Sequence, residues 1–161
     1  MEQQKIIEML NHLQMEYSII EHPPAETIAE IESFGLPNTN SIVKNIFLRD
    51  DKKKVYYLLV VCKDKIVNLK ELRCLLSSRP LSFASEDDLF HHLGLKKGSV
   101  TPLGILNDTE RKVQVIVDED VMKFTSIGIH PNENTATLWI SPQNLQSIIK
   151  NHGNSVVLLR M

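Results

Sequence analysis

A lysine and an asparagine stand side by side where an apolar run begins, Ser-Ile-Val-Lys-Asn-Ile-Phe-Leu at residues 41–48. The alternation of the following residues predicts a strand with Lys44 and Asn45 at its start. Polar side chains that enter a hydrophobic run must face solvent or be bound, because an unpartnered buried amide costs roughly 2–7 kcal/mol. Lys44 could anchor a phosphate or a carbonyl oxygen, so the pair is our first candidate for a functional site.

Two later segments could converge on such a site, and each places small or polar residues between a glycine and a proline. They are Gly98–Pro102 and Gly128–Pro131. Glycine lets a backbone approach a ligand closely, and amide N–H groups held in such a loop can stabilise an acyl-transfer oxyanion, a role worth roughly 2.7–4 kcal/mol per donor. The alternatives are a plain loop that braces the next strand and, for His130, a structural histidine bonded to a carbonyl. For His22, which also precedes a proline, we favour the structural role.

Several chemistries lack their sequence signatures. His91 and His92 are adjacent, so on a helix they diverge by about 100° and cannot chelate one ion as an i, i+4 pair does. The phosphate-loop, dinucleotide-binding and G-x-S-x-G patterns do not occur. We therefore expect neither a metal nor a cofactor, and no serine-hydrolase triad.

Composition and charge limit the classes of protein to which this chain can belong. A chain of 161 residues with 42% hydrophobic and 24% charged residues is typical of one globular domain, which we place at 1–161. It has no apolar run of membrane-spanning length and no secretory-signal pattern at its start, so we expect a cytoplasmic protein without a membrane partner. The net charge is −2, yet residues 41–80 hold ten Lys/Arg against four Asp/Glu. Such a basic sector can contact phosphates, although Lys52–Lys54 could equally be a solvated turn.

The elements that must position these residues follow from periodicity and end signals. Helices are predicted at 2–14, 26–34, 69–76, 85–94 and 142–150, and a short helical turn at 121–124. Strands are predicted at 17–21, 45–48, 55–62, 103–106, 113–117, 135–140 and 156–159. Two hairpins, 45–62 and 103–117, outnumber possible β-α-β crossovers. The expected fold class is mixed α/β (α+β), with a largely antiparallel sheet and helices packed on it.

Four segments in this order closely resemble the prolyl-tRNA editing family (YbaK-type, prolyl-tRNA-synthetase-associated domains), in particular its free-standing alanyl-tRNA(Pro) deacylase branch. The resemblance covers essentially the whole chain, and the combination is specific although each segment alone is weak. The segments are Val43–Asp50, Leu81–Glu86, Leu95–Pro102 with Leu106–Asp108, and Gly128–Thr137.

The resemblance implies a twisted, barrel-like mixed sheet and assigns roles to individual residues. Lys44 matches the family's essential lysine. Asn45 and His130 match residues that line the aminoacyl pocket, and we expect a side chain at Gly128 to protrude toward the ligand there. The loop of Gly98, Ser99, Val100, Thr101 and Pro102 matches the one that holds the terminal adenosine and the reacting carbonyl through its backbone. The family pattern leads us to expect an aromatic residue after this loop, and Leu103 departs from that pattern.

The implied activity is metal-independent hydrolysis of the ester that joins a wrong amino acid to proline tRNA. Ala-tRNA(Pro) is the expected substrate, with Cys- or Ser-charged tRNA as alternatives. Prolyl-tRNA synthetase is a second candidate partner. A different class of function, a non-catalytic module that binds tRNA or the synthetase, stays open, although it gives little reason for Lys44 beside the glycine loop.

Overall fold

The computed structural model describes residues Met1–Met161 and contains five α-helices and eight strands. The α-helices are α1 (Gln3–His12), α2 (Ile28–Ser33), α3 (Leu69–Leu76), α4 (Glu86–Leu93) and α5 (Pro142–His152). The strands are β1 (Tyr17–Glu21), β2 (Val43–Asp50), β3 (Tyr56–Cys62), β4 (Leu81–Phe83), β5 (Val113–Asp118), β6 (Ile127–Ile129), β7 (Ala136–Ile140) and β8 (Val156–Leu159). Short 3-10 helices cover Thr39–Ser41, Pro102–Asn107 and Glu119–Lys123.

The strands form two sheets, a larger one in the order β4-β2-β3-β5-β8 and a smaller one in the order β1-β7-β6. Antiparallel pairing joins β2 to both β3 and β4, and β7 to both β1 and β6. The β3–β5 and β5–β8 pairs are parallel. The mixed, largely antiparallel class is therefore confirmed.

The barrel-like closure implied by the resemblance is wrong for this chain. A barrel needs hydrogen-bonded pairing around the whole sheet. Here a single isolated parallel bridge between Ile42 and Gly128 links the two sheets, and each sheet keeps free edges. The architecture is two open sheets that share one apolar core and are joined by this single backbone bridge, beside which the candidate site lies.

The predicted second hairpin is also wrong. Residues 103–106 lie in the 3-10 helix Pro102–Asn107, which Thr101 caps by accepting a hydrogen bond from the Leu103 amide. Gly104 permits close packing, since a Cβ there would lie 2.6 Å from Leu95 Cδ1. The strand that follows, β5, pairs with β3 instead of folding back on this segment.

Strand β3 lies between two layers of apolar side chains, as its unbroken hydrophobic run predicts. Leu58 and Val60 belong to a core of 23 buried residues, which includes residues of α1, α4 and α5. Leu59 and Val61 belong to a smaller cluster against α3. This two-sided burial fixes the larger sheet and, with it, the start of β2 where Lys44 and Asn45 lie.

Candidate functional site

A cavity of about 340 Å³ opens where the two sheets meet. Its walls come from the segment around α2, the start of β2, the loop that contains Gly98, and strands β6 and β7. Six of the residues predicted for the site line it: Lys44, Asn45, Gly98, Val100, Gly128 and His130. Ser99, Thr101 and Pro102 are outside the lining, and eight further residues that were not predicted as site residues belong to it: Glu26, Thr27, Ile28, Ile31, Ile42, Val43, Ile129 and Thr137.

Lys44 and Asn45 leave β2 on opposite faces, as consecutive strand residues do. Asn45 alternates with Val43 and Phe47, which lie in the main core, whereas Lys44 alternates with Ile46 and Leu48 on the α3 side. The Lys44 ammonium donates a hydrogen bond to the backbone carbonyl of Lys65 at 2.5 Å. Lys44 thus lines the cavity while its ammonium group is hydrogen-bonded to the Lys65 carbonyl. Because the lysine side chain is flexible, the ammonium can leave that carbonyl for another acceptor.

Asn45 presents an unused acceptor at the site. Its Nδ2 donates to the Val100 carbonyl at 3.4 Å, which orients the amide so that Oδ1 points elsewhere. Oδ1 is buried and has no hydrogen-bond partner. Buried polar atoms are satisfied in the great majority of cases, so Oδ1 of this wall residue is an acceptor that a water molecule or a ligand donor could satisfy.

The glycine loop is tied to the chain segment of His130. The Thr101 hydroxyl is fully buried and donates to the His130 carbonyl at 2.5 Å. Gly98 has a φ of +84°, in the left-handed region that glycine adopts readily. The Ser99 amide already donates to the Lys96 carbonyl at 3.0 Å, so this particular N–H is not free to stabilise an oxyanion. Thr101 and Pro102 therefore brace the loop from behind, and only Gly98 and Val100 reach the cavity.

His130 is held as a neutral imidazole with one defined tautomer. Its Nδ1 lies 3.1 Å from the Ala136 carbonyl, and because a carbonyl only accepts, Nδ1 carries the hydrogen. Burial lowers the pKa of His130, the Ala136 hydrogen bond partly opposes that shift, and the nearby His22 adds to it. Nε2 is consequently an unprotonated acceptor at neutral pH.

His22 is closer to the site than its sequence context indicates. Its ring lies 6.5 Å from that of His130 and stacks on Phe34 at 5.4 Å. Nε2 is 2.8 Å from the hydroxyl of Thr137, a buried residue of the cavity wall. His22 therefore supports the wall from behind, which agrees with the structural role expected from the sequence.

Gly128 is required by packing between protein segments, whereas the sequence predicted that it leaves space for the ligand. A Cβ there would meet Ile42 Cγ1 at 2.8 Å and the Trp139 indole nitrogen at 3.2 Å, so it would point into packed side chains. The expectation that a side chain would protrude toward the ligand is thus wrong. Gly128 instead allows β6 to approach Ile42 at the bridge between the sheets. Leu103 is buried in the main core and does not line the cavity.

The basic sector divides into paired and unpaired lysines. Lys65 forms ion pairs with Asp118 at 3.0 Å and Asp120 at 3.1 Å, and Lys63 pairs with Glu32. Lys52, Lys53 and Lys54 are exposed between β2 and β3 and make no ion pair. Together with Lys70 and Arg73, which are also exposed and make no ion pair, these three can meet a phosphate backbone without first losing a protein partner.

No group of three or more His, Cys, Asp or Glu side chains is arranged to hold a metal ion. None of the helices combines the length and the apolar character that a membrane span requires.

Comparison with known proteins identifies relatives across nearly the whole chain. Residues 22–148 match the family model described as the aminoacyl-tRNA editing domain. The prolyl-tRNA editing protein ProX of Acetoanaerobium sticklandii is 43% identical over 152 residues, which cover 94% of this chain and 93% of ProX. Prolyl-tRNA synthetase associated domain-containing protein 1 of Danio rerio is 34% identical over 94% of this chain and 83% of its own length.

A solved structure described as a candidate trans-editing enzyme for prolyl tRNA synthetase shares the fold. It superposes with a TM-score of 0.72 at 20% sequence identity and covers 99% of this chain and 96% of its own. The fold of this chain is thus a known one.

Proposed function

This chain belongs to the aminoacyl-tRNA editing domain family and is an aminoacyl-tRNA deacylase, and we propose that it edits proline tRNA mischarged with alanine. The observation that carries the proposal is the cavity itself. It is small, and its wall combines Lys44, the unpaired buried oxygen of Asn45 and the acceptor nitrogen of His130. The names of the relatives support proline tRNA as the substrate, because ProX is 43% identical over nearly its full length.

Hydrolysis of an aminoacyl ester does not require a strong protein nucleophile. The ester is already activated, so positioning and electrostatic stabilisation supply much of the acceleration. In our proposal Gly98 and Val100 hold the ester against the loop, and Lys44 exchanges the Lys65 carbonyl for an oxygen of the substrate. The ribose hydroxyl of the substrate orients the attacking water. This assignment agrees with the lack of a catalytic triad in the sequence.

The character of the wall favours alanine among the small amino acids. Its apolar members are four isoleucines and two valines, namely Ile28, Ile31, Ile42, Ile129, Val43 and Val100. A methyl group suits such a surface, whereas the hydroxyl of serine would lose hydrogen bonds with water at a cost of about 1–3 kcal/mol if it found no partner. A thiol is only weakly polar, so cysteine is the second candidate.

Discrimination against the cognate prolyl group has to come from steric exclusion. One methylene changes binding by only about 1–3 kcal/mol in a hydrophobic pocket, so a wide pocket could not reject proline on affinity alone. Gly128 and Ile42, which both line the cavity, form the bridge between the two sheets. We propose that this wall admits a methyl side chain and excludes the pyrrolidine ring.

We further propose that residues 1–161 act as a single editing domain in the cytoplasm, with mischarged proline tRNA as the main partner. Prolyl-tRNA synthetase is a second proposed partner, supported by the name of the relative from Danio rerio. A non-catalytic binding module would also keep the basic lysines, but it would not need the orphaned acceptor of Asn45 in the cavity wall.

The direct test is a deacylation assay with one proline tRNA charged in turn with alanine, cysteine and serine. We expect the largest kcat/KM for the alanyl ester, a smaller one for cysteinyl and the smallest for seryl. Equal rates for all three would contradict the proposed selectivity, and no hydrolysis of any of them would contradict the proposed substrate.

A further inference from the structure

A carboxylate that the sequence did not single out lines the cavity. Glu26 is the one acidic residue of the wall, and Lys44 is the one lysine or arginine. The Glu26 side chain forms no ion pair and no hydrogen bond with another residue. Its charge is therefore available to a ligand.

The backbone around Glu26 is fixed on both sides. The preceding residue, Ala25, is fully buried, and its amide donates to the Asn134 carbonyl at 3.0 Å. The following residue, Thr27, caps α2 by accepting a hydrogen bond from the Glu30 amide at 3.2 Å. Glu26 is thus held at the cavity although its own side chain is exposed.

The glycine loop makes room for this side chain. A Cβ at Gly98 would lie 2.8 Å from Glu26 Cγ and 3.2 Å from Glu26 Cα, closer than such atoms can approach. Gly98 therefore lets the loop that faces the reacting ester pack directly against the stem of Glu26. A residue with any side chain at position 98 would push the two apart.

Two side-chain oxygen acceptors of the wall thus have no protein donor, the Glu26 carboxylate and the buried Oδ1 of Asn45. An ammonium group has three donors and a positive charge, which is the complement of such a pair. The α-amino group at the start of a peptide chain has a reference pKa of about 7.7–8.0, and that of an aminoacyl ester, which likewise has a neighbouring carbonyl, is mostly protonated at pH 7. An aminoacyl ester carries this ammonium one carbon from the reacting carbonyl.

We propose that Glu26 and the Asn45 side-chain oxygen form the subsite for the α-ammonium of the aminoacyl group, an inference that rests on the proposed function. Glu26 supplies the charge, and Asn45 supplies a directional acceptor. The subsite orients the aminoacyl group so that its side chain meets the apolar wall and its ester meets the Gly98 loop.

A different role for Glu26, general-base activation of water, is separable by experiment. A base acts on the ester whatever the α-substituent, whereas an ammonium subsite acts only when the ammonium is present. The lactyl ester of the same tRNA replaces the ammonium by a hydroxyl and keeps the methyl group and the ester. Rates on the two esters are to be divided by their uncatalysed hydrolysis rates, because the ammonium itself activates an ester.

The experiment compares wild type, Glu26→Gln and a matched control, Glu21→Gln. Glu21 is exposed on β1 and outside the cavity, so it undergoes the same charge change away from the site. We expect Glu26→Gln to lower kcat/KM for the alanyl ester by roughly ten- to a hundredfold, as loss of a charged hydrogen bond does, and to change the lactyl value by less than about threefold. Glu21→Gln should match wild type on both.

Binding gives a second readout that does not depend on turnover. Adenosine carrying a 3′-alanylamide or a 3′-lactylamide cannot be hydrolysed as an ester, and calorimetry reports its affinity. We expect Glu26→Gln to weaken only the alanylamide. Equal losses on both esters, or unchanged affinity for the alanylamide, would overturn the inference while leaving the deacylase function intact. Failure of wild type to hydrolyse the alanyl ester would instead overturn the proposed function.

Discussion

Replacing Lys44 with alanine should remove most of the deacylase activity and leave the fold in place. The structural cost is small, because the ammonium makes one hydrogen bond, to the Lys65 carbonyl. A typical hydrogen bond contributes about 0.5–1.5 kcal/mol to stability. For a chain of this size, 1 kcal/mol corresponds to a change in Tm of roughly 2–4 °C.

The catalytic cost should be much larger. A donor that points at a developing oxyanion is worth about 10²–10³ in kcat, and Lys44 is the one lysine or arginine of the cavity wall. We therefore expect Lys44→Ala to lower kcat by about two to three orders of magnitude and to lower Tm by only about 2–4 °C.

The assay is single-turnover hydrolysis of Ala-tRNA(Pro) with enzyme in excess, paired with thermal unfolding of each variant. Lys5→Ala is the matched control, since it removes the same charge from an exposed position on α1, outside both the cavity and the basic sector. Near-native turnover by a folded Lys44→Ala protein would refute the catalytic assignment. A loss of the same size in Lys5→Ala would attribute the effect to overall charge.

Three further predictions concern the surrounding structure. Burial lowers the pKa of His130, so the unfolded state binds more protons below about pH 6.5 and the free energy of unfolding should fall as the pH drops through that value. Denaturant titrations at pH 7.5 and 5.5 should show a smaller decrease for His130→Asn, and an equal decrease would count against the assignment. Gly128→Val should destabilise the fold by about 1–3 kcal/mol through its clash with Ile42, measured as a lower denaturation midpoint; an unchanged midpoint with altered selectivity would restore the idea of a side chain that reaches the ligand. Neutralising Lys52–Lys54 should weaken tRNA binding uniformly and flatten its dependence on salt, and unchanged salt slopes would indicate a merely solvated turn.

Local signals predicted most of the elements because each is encoded within a few residues. The helices predicted at 69–76, 85–94 and 142–150 begin at the caps Asn68, Ser85 and Ser141, whose side chains accept amide hydrogen bonds. Strands β1 and β8 have the predicted bounds. The three-residue strands β4 and β6 were missed, since so short a segment shows no periodicity.

Pairing between distant strands could not be read locally. The predicted hairpin 103–117 placed strand β5 correctly, but the sequence did not show that β5 would pair with β3 in parallel. That pairing depends on the two apolar layers around β3. The single bridge at Ile42 and Gly128, which leaves the sheets open, likewise depends on packing between segments far apart in sequence.

The candidate site was predicted in part for similar reasons. Lys44 and Asn45 stood out as polar residues in an apolar run, and both line the cavity. Glu26 gave no signal, because an exposed glutamate is ordinary until the structure shows Gly98 packed against its side-chain stem. The sequence predicted Gly98 as a site residue, but it did not predict that Gly98 packs against Glu26.

The most direct test of editing is to give the wild-type enzyme the same proline tRNA charged with alanine or with proline, at equal concentrations and under single-turnover conditions. The proposed pocket predicts rapid release of alanine and a prolyl ester that decays no faster than in buffer alone. Efficient hydrolysis of Pro-tRNA(Pro) would contradict it, because an enzyme that removes the correct amino acid cannot be an editing enzyme.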